Sequence, residues 1–378
     1  MRMNAPENHV HSHVIVIGAG YAGLLAANRL AAKGARVTLV NDRDTFIDRI
    51  RLHEVIAGTR SVALTAPPLA PRLARGVELV TGRAVAVGET AGSAWVRLES
   101  DRAVTPAATI SGDHLLLATG SGAGSGGWEW ALDHRDRLAA LPAGASVTVS
   151  GGGFTGIEVA SEIAAARPDL RVSLNDPAGV GRGFSEAGRR HLLHAMQRLH
   201  VQIAGTPNDR VTADLTVDCR GLTLPTLSAD SGLPVADDGA VIVEDVLQVR
   251  GTKRLWAAGD AARVVGQPHL RMACASAEPM AAQAADQIVR ITRGEPLRPL
   301  SLGFVAQCLS LGRTDGLVQF VGRDDTPRER IWTGRPAAWA KAVVCWGAAT
   351  VPARWSRHYA ELSGPRTSAE PGKEPVPR

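Results

Sequence analysis

Two glycine patterns and one His-Glu pair are the residues here whose types and spacing could do chemistry. The first pattern is Gly18-Ala-Gly20-Tyr21-Ala22-Gly23, set between the apolar run Val14 to Ile17 and a stretch rich in alanine and leucine. The second is Gly151-Gly-Gly153-Phe154-Thr155-Gly156, set between Val147-Thr-Val-Ser150 and IEVASEIAAA. A GxGxxG between a strand and a helix is a pyrophosphate cradle. Its first glycine permits the tight turn, its second lets backbone approach the phosphates, and its third lets the helix pack on the strand. The helix N-terminus adds unpaired N–H groups and a positive dipole end. Gly18 and Gly151 lie about 130 residues apart, so the pattern is repeated and two dinucleotide sites are implied. The pair His53-Glu54 lies in FIDRIRLHEVIAG. Its histidine is either a functional acid or base or a packed core residue, and Glu54 reads as a solvated helix residue.

Composition removes several other chemistries. The four cysteines, at 219, 274, 308 and 345, form no CxxC, which speaks against a redox disulfide, a zinc site and a disulfide scaffold and fits a reducing cytosol. Cys274 reads as a small core residue. His9, His11 and His13 alternate in a solvated lead and carry no metal-site spacing, so no metal is expected. Net charge is +5, but the arginines are scattered rather than clustered, so no nucleic-acid groove is expected. The start lacks the apolar core of a secretory signal, and no run of about eighteen apolar residues suggests a membrane span.

The elements that must position these residues follow from periodicity. Short buried strands are expected at 14–17, 36–40, 113–118, 147–150, 171–174 and 255–258, with further short strands at 77–80, 84–87 and 94–98. Helices are expected after each glycine pattern, over 46–58 and over 273–290. Ser121 to Gly127 is a flexible SGAGSGG segment, and the tail Ser363 to Arg378 is too polar and Pro-rich to order itself. The fold class is α/β, with two Rossmann-like dinucleotide-binding domains and a smaller C-terminal α+β region. The expected division is 1–120 and 231–300 for a discontinuous first domain, 121–230 for the second, 301–358 for a capping or interface region, and 359–378 for a disordered tail.

The motifs GAGYAG, VTLVN, FIDRIRLHE, LLLATGS, GGGFTGIE, RLWAAGDAA, LRMACASAEPMAAQAAD, FVAQCLSLGRTDGLVQF and TGRPAAWAKAVVC resemble those of the NADH dehydrogenase type II-like oxidoreductases of the pyridine nucleotide-disulfide oxidoreductase fold, of the actinobacterial type without the redox disulfide. The resemblance covers most of residues 13 to 350. It implies FAD in the first domain, held by Gly18, Gly20, Tyr21, Ala22 and Gly23, with Asn41 and Asp42 at the adenosine ribose. Arg49, Thr119, Gly120, Gly259 and Asp260 would also contact FAD. The helix after Glu278-Pro279 would aim its N-terminus at the flavin, bringing Pro279 and Met280 to it. Gly151, Gly153, Phe154, Thr155, Gly156 and Glu158 would hold NADH or NADPH. No arginine cluster follows Leu174-Asn175-Asp176, although Arg182 is near, which leans toward NADH. The family closes its second domain with several strands, whereas Val201 to Thr223 is short, so that domain is either trimmed or losing its role.

The leading expectation is hydride transfer from NAD(P)H to flavin N5, then electron transfer to a quinone-like or small organic acceptor, with His53 as the candidate catalytic side chain. The alternative is a biosynthetic cyclase or rearrangement catalyst of secondary metabolism, in which FAD is structural or non-redox. Trp332, Trp339 and Trp346 recur every seven residues near a helix starting about Pro336. They form either a peripheral membrane anchor or a core-packing or homodimer face. The expected place is the cytoplasm, at the inner membrane face if the anchor reading holds.

Overall fold

A computed structural model of the chain describes residues 12–99, 108–122, 127–204 and 213–359. His9 and His11, most of the SGAGSGG segment, residues 205–212 and the Pro-rich tail, all read above, lie outside the described residues. His13 is not a metal ligand in waiting: its ring Nε2 is 2.8 Å from the Thr38 hydroxyl across the first two strands.

Strand β1 (His13–Ile17) runs straight into the first glycine turn, and helix α1 (Tyr21–Ala32) returns the chain to β2 (Arg36–Asn41), parallel to β1. Val14 to Ile17 are buried, because α1 and a three-stranded antiparallel sheet both pack against this strand. β3 (Val77–Thr81) joins β2, β7 (His114–Leu117) joins β1, and β13 (Leu255–Ala257) joins β7, giving a parallel sheet of order β13-β7-β1-β2-β3. The expected strand at 77–80 is thus an edge strand of this sheet. The antiparallel sheet beside it holds β4 (Ala84–Glu89), β5 (Ala94–Leu98) and β6 (Thr109–Gly112), the last without a sequence signal. α7 (Leu227–Asp230) packs on β4, and β12 (Val241–Val243) pairs with β14 (Ala262–Val264).

The second glycine unit repeats the first. α4 (Trp128–Ala139) leads to β8 (Ser146–Ser150), then α5 (Phe154–Ala166), β9 (Arg171–Asn175) and α6 (Glu186–Arg198). β10 (Gln202–Ala204) and β11 (Leu215–Asp218) complete a parallel sheet of order β10-β9-β8-β11. The short stretch after Val201 thus still supplies both outer strands. α8 (Cys274–Thr292) packs on α1, where Arg29 and Lys33 grip Asp286 at 2.7 and 2.6 Å. β15 (Ala306–Ser310), β16 (Gly316–Val321) and β17 (Pro327–Thr333) form an antiparallel sheet crossed by α9 (Gly334–Arg354).

Two expectations need correction here. The helix over 46–58 is broken: a 3-10 turn at Arg49–Arg51 precedes a short α2 (Leu52–Ile56), and Phe46 to Asp48 are extended. Phe46 and Asp48 instead hydrogen-bond through their N–H groups to Pro67 and Thr65 beside α3 (Val62–Thr65), so tertiary pairing wins over local helix preference. Trp332 lies on β17, not on the helix that carries Trp339 and Trp346.

The chain has two apolar cores. One surrounds β1, α1 and α8; the other surrounds β8 and α5 and takes in Leu52 and Ile56 of α2 and Leu309, Leu311 and Leu317 of the C-terminal sheet. α2 follows the first unit in sequence but packs on the second, which puts His53 at their junction. Trp256 on β13 is fully buried in the first core, its ring edge-on to His114. Trp256→Ala should cost about 3–5 kcal/mol of stability in urea unfolding.

Candidate functional site

A cavity of about 550 Å³ runs between the two glycine units and under the C-terminal sheet. Gly18 and Gly20 line it from the first unit, and Phe154, Thr155 and Glu158 from the second. Gly18 has φ +96°, and a Cβ there would stand 2.4 Å from the Ala118 carbonyl oxygen, so the turn admits only glycine. A Cβ on Gly20 would meet nothing, which leaves an open approach to the backbone.

The helices around this space start without side-chain caps. Gly20 opens α1, Gly153 opens α5 and Ala273 opens α8, none with a capping side chain. Ser61 and Ser185 cap α3 and α6, while α2, α4, α7 and α9 also start without a side-chain cap. Uncapped N-terminal N–H groups need acceptors, and dinucleotide phosphates and a flavin pyrimidine edge supply them. The donor set and the open glycine cradle therefore fit FAD and a nicotinamide nucleotide.

The two units use the same tie at the end of the second strand. Asn41 Oδ1 accepts the Ala19 N–H at 2.9 Å, and Asp176 Oδ2 accepts the Gly152 N–H at 2.6 Å. Each sits one residue past the partner of the first glycine, Val40 for Gly18 and Asn175 for Gly151. Asn41 and Asp176 are thus equivalent positions, one neutral and one charged.

Near the first cradle, Asp260 accepts the Ser121 hydroxyl at 2.5 Å. Burial pushes its carboxyl above the usual range, against the pull of Ser121 and Arg49. The Arg49 guanidinium, itself lowered by burial, packs against Gly122 and lines the cavity. Tyr21 donates its hydroxyl to Asp48 at 2.7 Å, fixing the start of α1 to the segment before α2.

The far wall is charged and buried. Lys341 of α9 lies 3.0 Å from Glu158 of α5, and the Ser310 N–H donates to the same carboxylate at 2.9 Å. Burial alone would lower the Lys341 ammonium, but Glu158 outweighs it and holds it above the usual lysine range. Burial alone would raise Glu158, but Lys341, His53 and the Ser310 N–H hold it below the usual carboxylate range. His53 lines the cavity beside this pair. Glu54 is not a solvated helix residue: it is buried and takes Arg51 at 2.7 Å and Arg313 at 3.4 Å. Arg313 also reaches Glu162 at 2.6 Å. Cys274, Cys308 and Cys345 all line the cavity, so Cys274 is a wall residue rather than plain core. Burial pushes the Cys274 and Cys345 thiols up to about 12 and about 11, which keeps them protonated.

The cavity gathers most of the residues expected from sequence but not all. Gly18, Gly20, Tyr21, Ala22, Asn41, Arg49, His53, Thr119, Gly120, Gly259, Asp260, Phe154, Thr155 and Glu158 line it. Gly23 does not reach it, because a Cβ there would be 1.7 Å from the Gly18 carbonyl oxygen; its role is packing. Gly151, Gly153 and Gly156 lie outside the cavity, with Gly153 exposed at the start of α5. Asp42 is also outside it, paired with Arg43 at 3.0 Å. Pro279 and Met280 do not line it either. α8 begins at Cys274, as the expected 273–290 span requires, so Pro279 and Met280 lie within the helix rather than at its start, and Met280 is buried in the first core. Lys341, Cys308, Cys345 and Gln307 went unread in the sequence, because nothing local marks a residue that arrives from a distant sheet and helix. Asp176 could have been found by aligning the two glycine units.

The open glycine cradle at α1 and the start of α5 adjoin one cavity, whose lining fits dinucleotides. The sequence profile of the pyridine nucleotide-disulphide oxidoreductase family matches residues 12–287, and the chain belongs to that family, with FAD and NAD(P)H as its cofactors. Ferroptosis suppressor protein 1 of Xenopus laevis is 26% identical over 347 residues, 82% of this chain and 88% of that protein. An NADH dehydrogenase-like protein of Mycobacterium tuberculosis is 29% identical over a 428-residue alignment, 97% of this chain and 100% of that protein. In fold, the chain is similar to the sulfide:quinone oxidoreductase of Aquifex aeolicus, with a TM-score of 0.71, 20% identity and coverage of 89% of this chain and 91% of that one. It is also similar to NDH2 of Plasmodium falciparum in complex with NADH, with a TM-score of 0.67, 15% identity and coverage of 92% and 96%. The chain is an NDH-2-like flavoprotein oxidoreductase.

The Glu158–Lys341 pair makes a stability prediction. Glu158 is lowered from its ordinary 4.5, so its contribution is present above that value and lost as pH falls through the folded value. Lys341 is raised from 10.5, so its contribution is present below that value and lost as pH rises through the folded one. Between those limits, Lys341→Met should cost about 3–5 kcal/mol in urea unfolding by leaving Glu158 buried and unpaired, and adding Glu158→Gln should restore most of it.

Proposed function

We propose that this chain oxidises NADH and passes the electrons to a quinone-like acceptor through FAD bound in the cavity. The observation that carries the reading is that one cavity is lined both by the first glycine cradle and by the helix start of the second. Bound there, FAD would supply a two-electron carrier between nicotinamide and acceptor.

The chain's own residues bind, orient and hold protons. Gly18 and Gly20 leave room for the FAD pyrophosphate at the start of α1, with Asn41, Arg49 and Asp260 around it. Phe154, Thr155 and Glu158 stand where a nicotinamide would enter. Asp176 favours NADH, since its carboxylate occupies the ribose-reading position and would repel a 2′-phosphate. No CxxC is present, so the acceptor must meet the flavin directly. The names of two fold neighbours, a sulfide:quinone oxidoreductase and an NDH2, support a quinone-like acceptor. The same reading divides the chain near residues 120, 230 and 300.

The acceptor end is also where the chain exposes apolar surface. Trp332, Trp339, Trp346 and Trp355 are 50%, 72%, 56% and 46% exposed, which excludes the core-packing reading of this face. α9 carries two of them and also sends Lys341, Val344 and Cys345 into the cavity. Among the described residues no helix is long and apolar enough to cross a membrane. A peripheral lipid contact at this face would place a lipid-soluble acceptor at the cavity wall.

An anaerobic absorbance titration tests the redox reading. NADH should bleach the flavin band, and NADPH should do so with markedly weaker affinity; a yellow protein that neither reduces overturns the proposal. Asp176→Ser should shift the NADPH-to-NADH preference by about tenfold or more. Flotation with anionic vesicles tests the face. The chain should float, and Trp339→Ser/Trp346→Ser should not. A chain that stays down and elutes as a dimer assigns the face to a second copy.

A further inference from the structure

One polar atom in the cavity wall has nothing to bond. Gln307 of β15 is 6% exposed and lines the cavity, and its side-chain Oε1 is buried without a hydrogen-bond partner. Its cross-strand neighbour supplies the contrast. Gln319 stands opposite Gln307 in the register of β15 and β16. Gln319 Oε1 accepts the Ser185 N–H at 3.0 Å and the Ser185 hydroxyl at 2.8 Å, and its Nε2 donates to the Phe320 carbonyl at 3.1 Å. One glutamine is saturated by the protein, and the other keeps an open acceptor in the cavity wall. A buried amide oxygen left unpaired is costly, so an acceptor of this kind points to a donor brought by a ligand.

The packing of β15 on α5 tells which part of the cavity this is. A Cβ on Gly312 would stand 3.1 Å from Ala165 Cβ, near the end of α5. Two residues earlier, the Ser310 N–H donates to Glu158 at 2.9 Å and the Ser310 carbonyl takes the Ser161 hydroxyl at 3.4 Å, in the middle of α5. Strand and helix therefore advance in the same direction. Gln307, three residues before Ser310, lies about 10 Å back along the strand, toward the start of α5. Phe154 and Thr155 open that helix and line the same cavity. Phe154 also stacks on Phe184 at 4.8 Å, next to the Ser185 that Gln319 holds, so this face of the C-terminal sheet meets the second glycine unit.

The chemistry of the candidate ligands selects the donor. A quinone and a pyrophosphate carry acceptors only, whereas a nicotinamide carries an N–H donor on its carboxamide. We propose that Gln307 is a specificity-determining residue for the nicotinamide ring, its Oε1 accepting the carboxamide N–H of the bound nucleotide. This rests on reading the second glycine unit as the NADH site. Holding the carboxamide fixes the rotation of the ring about its glycosidic bond, and with it the face that the ring presents. A site built around such a bond also rejects ring analogues that lack the donor.

Binding to the oxidised holoenzyme tests this without turnover. The protein is titrated by calorimetry with NAD⁺, with its thionicotinamide analogue and with its 3-acetylpyridine analogue. The first two keep the N–H donor, and the third puts a methyl group in its place. NAD⁺ and the thionicotinamide analogue should each bind about tenfold more tightly than the acetylpyridine analogue. In Gln307→Leu that ratio should fall to about one, and in Gln307→Glu, which keeps an acceptor, it should persist. Equal binding of all three by the wild-type holoenzyme overturns the proposal, and needs no variant to fold. An unchanged ratio in Gln307→Leu also overturns it. FAD affinity should be the same in Gln307→Leu and wild type; weakened FAD binding with an unchanged nucleotide ratio assigns Oε1 to the flavin N–H instead. Absence of any NAD⁺ binding overturns this proposal together with the NADH reading, whereas NADH that bleaches the flavin in a protein that does not discriminate the analogues overturns this one alone.

Discussion

A methyl group on Gly23 would stand 1.7 Å from the Gly18 carbonyl oxygen, and one on Gly156 would stand 1.8 Å from that of Gly151. These two close approaches press α1 onto β1 and α5 onto β8. They set where each helix begins, and so where its unpaired N–H groups point. Everything else at the site is arranged about those two fixed helix starts. Any larger side chain would lift the helix off the turn and withdraw the N–H groups from a phosphate.

With the two units fixed, the remaining problem is electrostatic. The junction buries Glu158, Glu162, Glu54, Lys341 and His53 together. Buried charges are costly unless paired, and here, beside the local Arg51–Glu54 pair, two of the pairings join elements remote in sequence. Lys341 reaches from α9 to α5, and Arg313 from the C-terminal sheet to α2 and α5. Asp315 does the same work further out, accepting the N–H groups of Gly316 and Gly334 and pairing with His191 and Arg198 of α6. The C-terminal sheet is thereby bound to the second unit, and it forms a wall of the cavity rather than a separate module.

This division of labour explains how one fold can serve relatives with different partners. The glycine units have the shape that fits nucleotides, and β15, β16 and α9 wall the cavity beside them. That wall carries Gln307, Cys308, Val318, Lys341 and Cys345 in this chain. Its helix α9 also carries the exposed Trp339 and Trp346, so one helix builds both cavity wall and apolar surface.

The sequence alone determined the two nucleotide units, since a glycine turn between a buried strand and an alanine-rich helix is a local pattern with a local steric cause. Asn41 and Glu158 lie in or near such a pattern, Asp260 came from the family resemblance and His53 from the 46–58 segment, and all four line the cavity. The sequence could not show that the 46–58 segment breaks, because the competing hydrogen bonds come from Pro67 and Thr65. Nor could it show that Pro279 and Met280 lie inside α8, away from the cavity. The tertiary structure alone decided that Lys341 pairs with Glu158 across 183 positions of chain and that Glu54 is buried among arginines. The physical reason is that chain direction and side-chain periodicity are written locally, whereas the neutralisation of a buried charge depends on which distant element is packed against it.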